Sequence, residues 1–321
     1  MKKTLAVMLL ALPLAAPFTV GAQAYPTKPV RFVVPYPPGG IDPYLRIMMP
    51  KMTEMMGQPI VLENRPGANG LIGAEIVAKS APDGYTLLFA TTSTLVGGTL
   101  MIKAATVDPV KDFTPIVSLF ESMRTITVSA ALPITNVREL VDYAKANPGK
   151  LSFGSSGVGS AFHLDGEIFK EAAGIDIVHV PYKGSAPMAT AITSGEIGIG
   201  VASYNNIVAA WKGGKVRLIA IMERKRNPVV PDIPTVAETL PGVYRGVGWT
   251  GILGPAGLPR PIVQRWHAAA KAAMESPDVV GYHRKMGTDI SVTTPEETAE
   301  SLRAGLKQIS TLMKKINLQP E

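Results

Sequence analysis

Residues 151–169 read LSFGSSGVGSAFHLDGEIF and hold the densest set of groups able to do chemistry. Gly154, Gly157 and Gly159 interleave with Ser155, Ser156 and Ser160, and His163 and Asp165 follow. Two chemistries suit hydroxyls among glycines: a serine nucleophile with a histidine base, or a cradle for an anion. The first fails on spacing, because a nucleophile elbow needs G-x-S-x-G and Val158 stands where the last glycine would follow Ser156. His163 and Asp165 sit two residues apart on one predicted helix, too close to orient each other as a triad does. A phosphate-binding P-loop is excluded as well, since Gly159 and not a lysine precedes Ser160. With no cysteine, four scattered histidines and no H-E-x-x-H, neither a metal nor a cofactor is expected. A secreted serine hydrolase is thus set aside as an alternative, and the chain is not expected to be an enzyme.

What remains is a strand, a hydroxyl-rich glycine loop and a helix start. Glycines let the backbone approach a ligand closely, while the first helical turn presents unpaired N–H groups and the positive end of its dipole, which suits a phosphate or a carboxylate. The same residues equally serve a tight turn in which glycines pack and serines cap. The segment alone leaves both readings open.

The elements that position it follow from hydrophobic patterning. Short, nearly all-apolar runs at 30–34, 60–62, 85–90, 126–128, 151–153, 177–180, 197–201, 216–222 and 247–253 read as buried strands, with amphipathic helices between many of them. Asp42 reads as an N-cap with Pro43 at the first helical position, ahead of a core stripe of Leu45, Met48, Met49, Met52 and Met56. Pro50 is expected to kink or split that helix. Residues 71–78 form another helix, and Asn136 with Glu139 and Thr294 with Glu297 read as capping boxes. Two helices close the chain, at 261–275 and from Thr294 onward. Strands alternating with helices predict an α/β class with mostly parallel sheets. The strand ends at Tyr36, Thr91, Ser155, Tyr182 and Ser203 share glycine, hydroxyl and aromatic groups, which predicts one shared cleft. Thr91 to Thr94 either face that cleft or cap the next helix.

Lys2 and Lys3, the apolar run 5–14 and Ala22-Gln23-Ala24 read as an export signal cleaved after Ala24, its apolar run too short to anchor. No later segment is apolar enough to cross a membrane. Absence of cysteine excludes a disulfide framework and a lipid-anchored cysteine, which with export favours a periplasmic compartment. The formal net charge of +7 is scattered, with one tight cluster at Arg224, Lys225 and Arg226. No basic face with interleaved aromatics appears, so nucleic acid is not an expected partner. A mature chain of this size predicts two domains.

PYPPGG at 35–40, ENRPGANGLIGAE at 63–75, PDGYTLL at 82–88, ANPGKLSFGSSGVGSAFHLDGEIF at 146–169, VPYKGSAP at 180–187 and PDIPTVAE at 231–238 together resemble the Bug family. These are exported substrate-binding proteins of tripartite tricarboxylate transporters, and the similarity spans nearly the whole mature chain. The resemblance implies a two-domain α/β type II periplasmic-binding-protein fold with a ligand cleft between domains. Residues 25–120 plus 228–321 would form domain 1 and 121–227 domain 2, with hinge crossings near 119–123 and 221–231.

The resemblance further implies a ligand that is a small organic acid (a di- or tricarboxylate, an amino acid or an aromatic carboxylate), a membrane permease as partner and a monomeric protein. A receptor kinase reading the liganded form is the alternative partner. Carried onto this chain, the ligand wall is Tyr36, Pro37 and Pro38 on one side and Ser155, Ser156, Gly159 and Ser160 on the other, with Thr92 and Ser203 contributing. His163 is expected to be structural. Two departures stand out: Ile41 alone separates Gly40 from Asp42 where the family has two residues, and Gly198 and Ala202 replace two aspartates. They predict a reshaped first loop and a less polar pocket suited to a larger or more apolar acid.

Overall fold

The computed structural model describes residues 25–246 and 248–320, so the export signal read at 1–24 lies outside the described residues. The chain opens with β1 (Val30–Val34), α1 (Asp42–Met56), β2 (Ile60–Asn64), α2 (Leu71–Ala78) and β3 (Thr86–Thr91). A π-helical turn, Ser93–Gly98, runs into α3 (Thr99–Met101), and β4 (Phe113–Glu121) follows. A second body comprises β5 (Arg124–Ser129), α4 (Val137–Ala146), β6 (Ser152–Ser155), α5 (Ala161–Ala173), β7 (Val178–Pro181), α6 (Ser185–Ser194), β8 (Ile199–Ser203), α7 (Tyr204–Lys212) and β9 (Val216–Ile221). The chain then returns through β10 (Thr250–Pro255), α8 (Arg260–Met274), α9 (Pro277–Lys285), β11 (Asp289–Ile290) and α10 (Pro295–Lys315).

These strands form two sheets, ordered β11-β4-β10-β3-β1-β2 and β7-β6-β8-β5-β9. The architecture is the expected two-domain α/β one, but the sheets are mixed and not mostly parallel. β1 is parallel to β2 and β3, and β6 to β7 and β8, whereas β5 and β10 run antiparallel to both their neighbours. The reason is where the chain crosses. β5 begins with Arg124 opposite Ser203, the end of β8, and β10 begins with Thr250 opposite Thr91, the end of β3. A strand arriving from the other sheet starts where the parallel strands finish, so it must run backwards.

Alternation along β1 and β3 sends Val30, Phe32, Val34, Leu87 and Phe89 to one core with α1 and α8, and Val33, Leu88 and Ala90 to another with α2 and α10. Burial on both faces explains why these strands read as continuous apolar runs. The methionine stripe is core as expected, with Met48, Met52 and Met56 buried. That burial also corrects the reading of Pro50: α1 continues through it as one helix, because the stripe is packed on one side while Pro50 sits on the exposed side. Its N-cap is Ile41, not Asp42. Gly39 and Gly40 take positive φ and Asp42 N donates to Gly39 O, which draws Ile41 into the helical region one residue early.

Both capping residues act as expected, Asn136 on Glu139 N and Thr294 on Glu297 N. Of these two, Thr294 alone completes the box, since Glu139 turns to Thr135 N instead. Three helices, not two, close the chain, and β4, α7 and α9 are elements that patterning missed.

Candidate ligand cleft

The ends of β1, β3 and β8 and the starts of the helices after them converge between the two sheets. They enclose a cleft with about 810 Å³ of empty space, part of it open to solvent. Four helices of nine residues or more, α1, α5, α6 and α7, start at its wall, as does the π-helical turn at Ser93. α1, α6 and α7 have no side-chain cap, and their dipoles bring positive potential to the same space, although in α1 Asp42 N and Tyr44 N already donate to Gly39 O and Ile41 O and Pro43 has no N–H, and in α7 Tyr204 N donates to Met123 O. Among the described residues no lysine lines the cleft, and the guanidinium of Arg124 is committed to Asp165 at 3.0 Å with both side chains buried. Desolvation raises the Asp165 carboxyl pKa against the opposing pull of Arg124. An anion here is therefore met by N–H groups and hydroxyls rather than by a free cation.

Of the nine residues anticipated from sequence, Tyr36, Pro37, Thr92, Ser156 and Ser203 line the cleft. The Tyr36 hydroxyl lies 2.5 Å from Thr91 Oγ1 and 2.6 Å from Thr94 Oγ1, and burial pushes its pKa up, so it stays neutral. Thr92 N donates to Trp249 O at 3.2 Å. Ser203 Oγ accepts from Asn206 Nδ2 at 2.6 Å. Pro38 is exposed and outside the lining.

Ser155, Gly159 and Ser160 build the turn instead of facing the cavity. Ser155 is fully buried, with Oγ 2.7 Å from His179 Nε2. Though this pair has the spacing of a serine–histidine dyad, a fully buried Oγ cannot be presented to a substrate. Ser160 caps α5 by accepting from His163 N at 3.1 Å. Gly159 takes φ 71° and its N–H donates to His163 Nδ1 at 3.1 Å. His163 stacks on His179 with ring centroids 3.8 Å apart. Burial lowers their pKa values to about 4 and about 3, which keeps both rings neutral and lets His163 Nδ1 accept. His163 is structural, as expected.

The other departures resolve by position. Neither Gly198 nor Ala202 lines the cleft: Gly198 precedes β8 beside Leu132 and Leu151, and Ala202 belongs to a core cluster. The missing aspartates thus do not act on the ligand wall directly.

Sequence reasoning missed Asn205, Trp249, Glu121 and Arg124. Asn205 carried a signal, a polar residue just past an apolar strand. The other three are brought in only by the crossings. Arg245 pairs with both Glu121 and Glu223, and Glu223 Oε1 accepts from Arg124 N at 3.1 Å, so the two crossings are tied to each other. Contacts across the cleft include Asn205 Nδ2 to Gly40 O at 2.8 Å and Ala161 N to Ser93 Oγ at 2.9 Å. Among the described residues, no cluster of three or more acidic or histidine side chains could hold a metal, and no helix is long and apolar enough to cross a membrane.

A family model described as the tripartite tricarboxylate transporter family receptor matches residues 44–318. A UPF0065 protein from the tcbD-tcbE intergenic region of Pseudomonas sp. strain P51 is 33% identical, over 88% of this chain and 84% of its own. A solved R. palustris protein with adipate is 31% identical, covering 92% of this chain and 100% of its own at a TM-score of 0.89. MatC from Rhodopseudomonas palustris with bound malate is 30% identical, covering 90% and 99% at a TM-score of 0.85.

Proposed function

This chain belongs to the tripartite tricarboxylate transporter receptor family, and from that premise we propose that it captures a small organic carboxylate in the interdomain cleft and delivers it to a membrane permease. The observation that carries the reading is the convergence of uncapped helix N-termini on a cleft whose guanidinium is already paired. Adipate and malate, bound by two structural relatives, are both carboxylates.

In this reading Tyr36, Pro37, Thr92, Ser156 and Ser203 contact the acid, while Ser155, Gly159 and Ser160 hold the turn that carries Ser156. Pro38 shapes the loop from outside. Residues 25–120 plus 228–321 and residues 121–227 act as two bodies hinged at the tied crossings. The acid binds the closed arrangement more tightly than the open one and so shifts the population towards closure, and the permease reads the closed form. The protein acts as a monomer in the periplasm after cleavage behind Ala24.

Thermal unfolding of the mature protein with panels of di- and tricarboxylates, amino acids and aromatic acids tests this. One class should raise the melting temperature, because a ligand that binds only the folded state stabilises it. Ser156→Ala should reduce that shift. No response to any acid would overturn the carboxylate assignment.

A further inference from the structure

The hydroxyl of Ser93 caps a helix that belongs to the other domain. Ser93 opens the π-helical turn after β3, and its Oγ accepts from Ala161 N at 2.9 Å. Ala161 is the first residue of α5, whose own cap, Ser160, is occupied with His163 N at 3.1 Å. The first turn of α5 is thus capped twice, once by the residue before it and once from across the cleft. A capping hydroxyl ordinarily serves the helix that follows it in the chain, whereas Ser93 reaches one 68 residues away. Asn69 supports Ser93 from outside the cleft lining: it takes φ 50°, a left-handed conformation that asparagine tolerates, and donates Nδ2 to Ser93 O at 2.7 Å. Next to this contact the backbones of Gly97 and Gly159 meet with no side chain between them.

Resting on the carboxylate reading, we propose that Ser93 is a latch for domain closure: its hydroxyl takes the first N–H of α5 only when the domains meet, and Asn69 is the positioning residue that holds it there. In the open arrangement Ala161 N and Ser93 Oγ each face water, and on closure each exchanges water for the other, an exchange that is favourable by a few-fold to about tenfold in an equilibrium constant. The latch involves no atom of the ligand. It therefore lengthens the residence of whichever acid is bound without choosing among acids, and selection is left to the rest of the wall. Ser93 and Ala161 both line the cleft, so direct contact with the acid is the competing role that the test must separate.

Ala161→Pro gives that separation. It removes the N–H and sets the ring Cδ in its place, directed at Ser93 Oγ, and a nitrogen–oxygen approach of 2.9 Å leaves no room for that carbon. The helix itself accepts the change, because proline is favoured at the first helical position and Ser160, at φ −64° and ψ 154°, already has the extended backbone required before proline. Calorimetric titration and dissociation kinetics of the mature protein are read with two acids that the wild type binds. Ser93→Ala should weaken both acids by the same factor, about 2- to 10-fold, through faster dissociation, and Asn69→Gly, which keeps the left-handed backbone, should do the same to a smaller extent. Ala161→Pro should weaken both by about 10- to 100-fold, and adding Ser93→Gly should bring the affinity back to that of Ser93→Gly alone. Wild-type affinity in Ala161→Pro, additive losses in the double variant, or factors that differ between the two acids would overturn the latch. If no acid binds to wild-type protein that melts cooperatively, the carboxylate reading itself falls. The latch is then judged without ligand, by energy transfer between dyes on Glu54→Cys and Lys150→Cys, exposed sites on opposite domains of a chain with no cysteine of its own. Ala161→Pro should deplete the short-distance species, and an unchanged distribution would overturn the proposal.

Discussion

Gly97→Ala isolates domain closure from ligand contact. Gly97 lies in the π-helical turn, outside the cleft lining, and has no positive φ, so alanine costs no backbone strain there. The three atoms nearest a Cβ at this position all belong to Gly159 of the opposite domain, the carbonyl oxygen at only 1.7 Å. Neither partner is a flexible side chain, so the two backbones must part by more than an ångström. That movement would stretch the 2.9 Å bond from Ala161 N to Ser93 Oγ beyond hydrogen-bonding range. It would also loosen Leu164 of α5, which is packed in the cluster holding Val96 and Trp249. One hydrogen bond at about 1 kcal/mol and partial exposure of a leucine at about 1–2 kcal/mol together cost the closed form about 2–3 kcal/mol. Calorimetric titration with an acid that the wild type binds should then show affinity reduced about 30- to 150-fold. The melting temperature without ligand should change little, because the open arrangement accommodates the methyl group, and small-angle scattering should show no ligand-induced compaction. Wild-type affinity in the variant would refute the view that this glycine pair must meet for the ligand to be held.

Four further outcomes follow from buried charge and burial of histidine. His163 has its pKa lowered from 6.5 to about 4 by desolvation, so the unfolded chain binds the proton first. Stability is therefore complete above about pH 6.5 and declines as pH falls towards 4, by on the order of 2–3 kcal/mol for this group; a stability profile that is flat across that window would contradict its buried neutral state. Protonation also removes the Nδ1 acceptor that holds Gly159 N, so acid affinity should fall over the same range. His283 is fully buried against Tyr44 and Phe120 with both ring nitrogens unpaired, and desolvation lowers its pKa to about 4. His283→Leu should melt at or above the wild-type temperature at pH 7 and lose less stability on acidification; a drop in melting temperature at neutral pH would show that the ring is satisfied. Asp165→Leu leaves Arg124 buried and uncompensated, and chemical denaturation should register a loss of about 3–5 kcal/mol, whereas less than 1 kcal/mol would mean that Arg124 finds water.

Much of the fold is local physics and was readable as such. All-apolar runs marked strands covered on both faces, and proline, glycine and capping residues placed helix ends such as Thr294 closely. β4 escaped because Thr114, Pro115 and Ser118 dilute its apolar run, and α9 because its nine residues bury only Val279 and His283. Strand direction was misjudged for a different reason. Whether β5 and β10 run with or against their neighbours depends on the chain crossing between sheets, which no run of residues encodes.

The cleft divides the same way. Helix starts at Ser160, Ser185 and Tyr204 are local events, so an anion-binding wall could be inferred from glycine, serine and the strand before them. Which hydroxyls stay free could not. Ser155 turns inward because His179, 24 residues later on the neighbouring strand, takes its Oγ, and Ser160 is spent on its own helix. Arg124 loses its freedom to Asp165, 41 residues away, and Asn205 reaches Gly40 across 165. A backbone N–H at a helix start is fixed by its immediate neighbours, whereas the availability of a side chain depends on every group that folding brings within reach of it.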